Sequence, residues 1–141
     1  MESLADKAVA TILAVDDETE NAALVRRSLL LRPNLGVIVA FSGTEALAIL
    51  QSRTVDVLIV DQRMPQMPGV ELVKRTRWLP RPPPTIMLTA FPDEEAVVAA
   101  QARGLIQCVI AKPWKVEDLL RAVDSIVLKI SQRQDRVEPT L

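Results

Sequence analysis

Four groups in this chain have the types and positions to act together: the acid pair Asp16-Asp17, the acid Asp61, the hydroxyl of Thr89 and the amine of Lys112. Each follows directly on a short apolar run: Thr11–Val15, Val55–Val60, Thr85–Leu88 and Gln107–Ala111. Three carboxylates brought together repel, so the pKa of at least one should rise. Lys112 can offset one charge. An oxygen-seeking divalent cation offsets more, and Mg2+ favours a few carboxylates with waters and a phosphate. That set suits a phosphoryl group arriving with its metal. A carboxylate serves as nucleophile, lysine and cation oppose the charge, and the hydroxyl donates to a phosphoryl oxygen. Taken singly, each residue also fits an ordinary role: Asp-Asp as a helix cap, Lys-Pro as a surface turn, Thr89 as a cap of the next helix. Their joint placement carries the argument.

The elements that must hold these residues alternate along the chain. Thr11–Val15 is expected as a first buried strand, followed by a helix over 19–31 with Leu24, Val25, Ser28 and Leu31 on one side. Pro33-Asn34 ends that helix, and Gly36–Ala40 is a second strand. Ser42-Gly-Thr-Glu45 matches a capping box, opening a second helix. Val55–Val60 is the third strand, ending at Asp61, and prolines and a glycine in Gln62–Gly69 force a turn. A third helix is expected over 70–78 and an extended proline connector over 80–84. The fourth strand is Thr85–Leu88. A fourth helix opens at Pro92-Asp-Glu-Glu and closes at Gly104. The fifth strand is Gln107–Ala111. The last helix carries Val116, Leu119, Leu120, Val123, Val127 and Ile130 on one stripe. Residues 1–10 read as a lead-in, 11–130 as one domain and 131–141 as a polar tail.

Five strands alternating with five helices imply an α/β fold: one doubly wound (βα)5 flavodoxin-like domain with a parallel sheet. In such a sheet all carboxyl ends share one edge. With the order 2-1-3-4-5, the first and third strands are neighbours, and Asp16, Asp17 and Asp61 meet at the switch point.

Composition narrows the chemistry. The 141 residues fit one domain, and nearly half are hydrophobic. A formal net charge of −1 argues against binding nucleic acid or a membrane surface through bulk charge. Histidine is absent, which excludes Ser-His-Asp triads, Cys-His pairs and histidine-based metal sites within the chain. The single cysteine, Cys108, lies in an apolar stretch and is expected to be a buried structural thiol. No apolar run is long enough to span a membrane, and the N-terminus has no signal-peptide pattern, so a cytoplasmic location is expected.

Here the sequence resembles the receiver domain of two-component response regulators. The resemblance rests on Ala14-Val-Asp-Asp17, Asp61-x-x-x-Pro65 with Gly69, Leu88-Thr-Ala90 and Lys112-Pro113, and covers about 11–130. Lys112-Pro113-Trp114 is similar to one subgroup of that family. The resemblance implies Asp61 as phosphoacceptor, with Asp17 binding Mg2+ directly and Asp16 through water. It adds the backbone carbonyl of Arg63 as a metal ligand, Thr89 and Lys112 as phosphoryl contacts, and a cis Lys112–Pro113 bond. It implies a phosphoacceptor that assists its own phosphorylation and dephosphorylation, not an enzyme in the ordinary sense. The donor is a sensor histidine kinase or a phosphotransfer protein. Too few residues follow the last helix for a DNA-binding domain, so the expected output is contact with a downstream protein, and a homodimer is compatible with it. Val109 bears on the output, and Arg63 and Phe91 on hydrolysis of the phosphoryl group. Val109 stands where the family commonly has an aromatic that swings inward, while Arg63 and Phe91 lie two places beyond Asp61 and Thr89, beside the phosphoryl group.

Three other readings compete. A haloacid-dehalogenase-like phosphatase would resemble Asp-x-Asp on its first strand, but Arg63 leaves no acid at the general-acid position after Asp61. A flavodoxin-like nucleotide binder would need a Gly/Ser/Thr loop after the first strand, where this chain has Asp16-Asp-Glu18. A receiver-shaped interaction module that is never phosphorylated is opposed by the intact acid, threonine and lysine set and favoured by Val109.

Overall fold

The computed structural model describes residues 10–137. Its order is β1 (Ala10–Val15), α1 (Thr19–Leu29), β2 (Leu35–Ala40), α2 (Gly43–Ser52), β3 (Val57–Asp61), α3 (Gly69–Arg75), β4 (Thr85–Thr89), α4 (Glu95–Ala102), β5 (Cys108–Ala111) and α5 (Val116–Val137). All four strand pairings are parallel, and the sheet order is β2-β1-β3-β4-β5, as the alternation implied.

The strands are apolar on both sides because both faces of the sheet are covered. Leu13, Val15, Leu58, Val60 and Met87 point into one core, beneath α2, α3 and α4. Ile12, Ala14, Val57, Ile59, Ile86 and Leu88 alternate into the other, beneath α1 and α5. The two-residue period of a strand makes this division. Within α5, Leu119, Leu120, Val123 and Ile126 pack on the second core.

Several boundaries differ from expectation. On α1 the buried face is Ala22, Val25, Ser28 and Leu29. Leu24 and Leu31, expected inside, are 44% and 62% exposed. Ser28 tolerates burial because its hydroxyl donates to the Leu24 carbonyl at 2.8 Å. Strand β3 starts two residues later than its apolar run. Asp56 is instead tied to Thr11, its carboxylate accepting from the Thr11 amide at 2.8 Å and its own amide donating to the Thr11 carbonyl at 2.8 Å. The third helix ends at Arg75 and tightens to a 3-10 turn over Thr76–Trp78, where the Thr76 hydroxyl donates to the Val73 carbonyl.

Pro92 does not open α4. It lies in a turn, and the helix begins three residues later at Glu95. Gly104 does close it, with φ +78 and its amide donating to the Gln101 carbonyl. At α2 the serine half of the capping box forms, the Ser42 hydroxyl accepting from the Glu45 amide at 3.1 Å, while the Glu45 carboxylate accepts from the Phe41 amide at 3.2 Å, one residue before the cap. The polar stretch expected as a tail from residue 131 is helical through Val137. Of the expected lead-in over 1–10 only Ala10 is described, and it belongs to β1; residues 138–141 likewise lie outside the described residues.

Candidate functional site

Strand order brings the acids together. Val15 pairs with Val60 across the β1–β3 ladder, so the residues that follow them, Asp16 and Asp61, leave the sheet side by side. Each of Asp16, Asp17 and Asp61 offers a carboxylate oxygen within 4.8 Å of the others. Asp61 is only 9% exposed and Asp16 only 6%, whereas Asp17 faces solvent. Burial, more than the neighbouring Asp61 charge, pushes the Asp16 carboxyl above its ordinary value of 3.8; its bond from the Glu18 amide at 2.9 Å and the Lys112 charge pull the other way.

Lys112 enters from the end of β5. Its Nζ lies 3.0 Å from Asp61 Oδ1 and 3.7 Å from Asp16 Oδ2. One ammonium thus faces two buried acids, and Asp61 Oδ2 takes no hydrogen bond among the described residues. The next bond, Lys112–Pro113, is cis. Thr89 ends β4, is buried, and accepts from the Phe91 amide at 3.0 Å through Oγ1, which leaves its hydroxyl proton free to donate elsewhere. The Lys112 amide donates to the Thr89 carbonyl at 2.9 Å, so the hydroxyl and the lysine are laid side by side by the sheet itself.

The donor set fits a hard divalent cation. It consists of carboxylate oxygens, two of them nearly buried, and a single ammonium does not neutralise three acids.

The loop after Asp61 needs Gly69. A Cβ there would meet the Asp61 carbonyl oxygen at 2.5 Å and Met87 Cε at 3.0 Å. The Gly69 amide donates to the Gln62 carbonyl at 2.9 Å, which draws the start of α3 against the strand tip. Gln62 is a residue the sequence reading passed over. It is buried, its side-chain oxygen accepts from the Val70 amide at 2.8 Å, and its amide nitrogen lies 3.4 Å from Glu94 Oε1. No sequence signal separates it from an exposed loop glutamine. Arg63 and Phe91 meet: the guanidinium carbon sits 3.8 Å from the Phe91 ring centroid and Nη2 lies 3.9 Å from Glu94 Oε2. Val109 is half-buried against the core of α2–α4. Beside Asp16 and Lys112, a groove of about 440 Å3 runs between α1 and the β5–α5 loop, floored by Leu24, Val25 and Trp114.

A five-stranded parallel domain with an acid cluster and a lysine at its switch point belongs to the doubly wound α/β class that places its site at the carboxyl ends of the strands. The chain matches the response regulator receiver domain family over residues 12–124 and belongs to it. Among curated relatives it is 36% identical over 122 residues to the hydrogenase transcriptional regulatory protein HoxA of Cupriavidus necator, covering 84% of this chain and 24% of that protein. It is 33% identical over 130 residues to the cyclic di-GMP phosphodiesterase response regulator RpfG of Xanthomonas campestris, covering 90% and 34%. Among solved structures, the chemotaxis response regulator CheY4 of Vibrio cholerae is 34% identical with a TM-score of 0.74, covering 83% of this chain and 98% of that one. The chain spans about a quarter to a third of the length of these curated relatives.

Proposed function

We propose that this receiver takes a phosphoryl group on Asp61 from a phosphohistidine of a sensor histidine kinase or phosphotransfer protein in the cytoplasm. The observation that supports this best is Lys112 Nζ at 3.0 Å from Asp61 Oδ1, inside a cluster of three carboxylates. Lys112 fixes one oxygen of Asp61 and leaves the other to attack. An O–P bond forms as the N–P bond of the donor breaks, and the leaving electron pair stays on the imidazole nitrogen. Thr89 supplies a hydroxyl proton, and Lys112 an ammonium, to the oxygens of the incoming group. Asp16, Asp17, Asp61 and the backbone carbonyl of Arg63 would hold Mg2+, which when bound supplies positive charge against the phosphoryl oxygens. The apolar groove beside Asp16 and Lys112 gives the donor protein a surface next to the acceptor. The phosphorylated form then shifts a population of conformations toward one that a downstream protein recognises.

The test is a mass measurement. The protein is incubated with Mg2+ and a small phosphodonor, wild type beside Asp61→Asn. One phosphoryl group's mass is expected on the wild type alone; gain on both, or on neither, rejects Asp61 as acceptor. The second reading, an interaction module outside phosphoryl control, draws on Val109, whose side chain has no ring to swing toward a displaced Thr89. It predicts no gain on the wild type.

A further inference from the structure

At the edge of the sheet opposite the acids lies a cavity of about 490 Å3, a size that takes a small organic molecule. It opens beside Cys108, the first residue of β5, between the proline connector and the outer half of α5. Its floor is apolar, made by Pro83, Leu105, Ile126 and Ile130. Three cations stand around that floor: Arg77 from the 3-10 turn, and Lys129 and Arg133 from one face of α5, a turn apart. No acidic residue lines it among the described residues.

Among the described residues, some exposed cations of this chain are paired with acids and others, Arg26, Arg53 and Arg103 among them, are not; the three around the cavity belong to the second group. Arg32, Arg75 and Arg121 each lie within 4.0 Å of a carboxylate, whereas Arg77, Lys129 and Arg133 have no ion pair among the described residues. An adjoining cavity of about 200 Å3 shares Arg133 with the first and adds Arg81. Its one acid, Asp56, is engaged by the Thr11 amide. Four cations with no ion pair among the described residues therefore converge at one end of a chain whose net charge is −1. Their mutual repulsion is relieved by an anion. The aliphatic floor sets the kind of anion, because a bare inorganic ion would leave the half-buried Leu105 and Ile130 wet.

We propose that this cavity binds an organic phosphate, its apolar ring resting on Pro83, Leu105 and Ile126 and its phosphate held by Arg77, Lys129 and Arg133. A phosphate dianion offers oxygens enough for three donors approaching from different elements. The site lies a full strand length from Asp61, so it stands or falls independently of phosphoryl transfer there.

Cys108 reports on it. It is the only cysteine, borders the cavity and is half-buried, and burial raises its thiol pKa, so alkylation is slow and sensitive to cover. The full chain, without Mg2+, is treated with iodoacetamide while phenyl phosphate is titrated in. Protection of Cys108 is expected with a midpoint on the order of 0.1–1 mM, the range a ligand of this size reaches. Inorganic phosphate and phenol should each protect about tenfold less well, a difference of about 1.4 kcal/mol. Arg77→Gln with Lys129→Gln, and separately Arg133→Gln, should lose protection while melting as the wild type does. Undiminished protection in a variant that melts normally would overturn the proposal. So would inorganic phosphate protecting as well as phenyl phosphate, or no protection up to about 10 mM.

Discussion

Asp16 is the residue whose environment opposes its own charge. Its folded pKa is raised, chiefly by burial and then by Asp61. A raised carboxyl pKa means that the folded state holds the proton more tightly than the unfolded chain. At pH values above that raised pKa the ionised group is a standing penalty, and the penalty disappears as pH falls through it. Asp16→Asn should therefore raise the melting temperature at neutral pH, by about 2–4 °C if the relief is near 1 kcal/mol, while weakening Mg2+ binding. Scanning calorimetry and a Mg2+ titration check the two halves. By the same sign, metal affinity should fall with pH before an ordinary carboxylate near 3.8 would begin to protonate. Phe91 is argued from contact: with Arg63 against its ring, it covers the loop two residues beyond Thr89. Phe91→Ala should shorten the lifetime of the phosphoryl group severalfold by admitting water. An unchanged decay of phosphorylated protein would reject a shielding role.

At the scale of elements, the junction of β3 with α3 is the least forgiving. The Cβ of Gly69→Ala would press on a backbone carbonyl at the strand tip, which cannot rotate away. We expect a loss of about 1–3 kcal/mol together with slower phosphorylation, because the displaced carbonyl is that of Asp61 itself. Urea unfolding and the rate of mass gain measure these separately. Gly43 differs in degree: the atoms crowding it belong to the Met67 side chain, whose Sδ and Cγ can rotate away although its Cβ, at 2.9 Å, cannot. The strand tips were legible because each buried apolar run ends on a polar side chain, and the start of α2 because Ser42 and Glu45 form a local pair. Pro92 misled because a proline followed by acids suits a turn as well as a first helical turn. Gln62 was invisible because its role depends on Val70 and Glu94, which only the folded loop brings near. The continuation of α5 past Ile130 was hidden by the end of its apolar stripe: Ser131 to Val137 stay helical with few apolar positions left to announce it.

At the scale of the whole domain, ligand and fold share one free energy. The unfolded chain has no reason to bring Asp16, Asp17 and Asp61 together, so a cation that binds the cluster must stabilise the fold. At ten times its dissociation constant Mg2+ should add about 1.4 kcal/mol, or ~3–6 °C in melting temperature. The increment should vanish in Asp17→Asn, and an equal shift in that variant would place the ion elsewhere. Sheet order made this concentration of charge readable: once the alternation fixed a parallel sheet, residues 16 and 61 had to share an edge. What fills the groove beside them depends on a partner's shape, which nothing in the chain's own periodicity encodes.

The backbone bond from Lys112 to Thr89 has a mechanical meaning. From Asp61 one can travel through the ladder to Leu88, on to Thr89, across to Lys112, and return along the lysine side chain to the starting carboxylate. The path is a closed linkage, and a tug applied at the acid arrives at the threonine from two directions. A displacement of Thr89 is thereby coupled to Lys112, and the two are expected to shift together when the acid is modified.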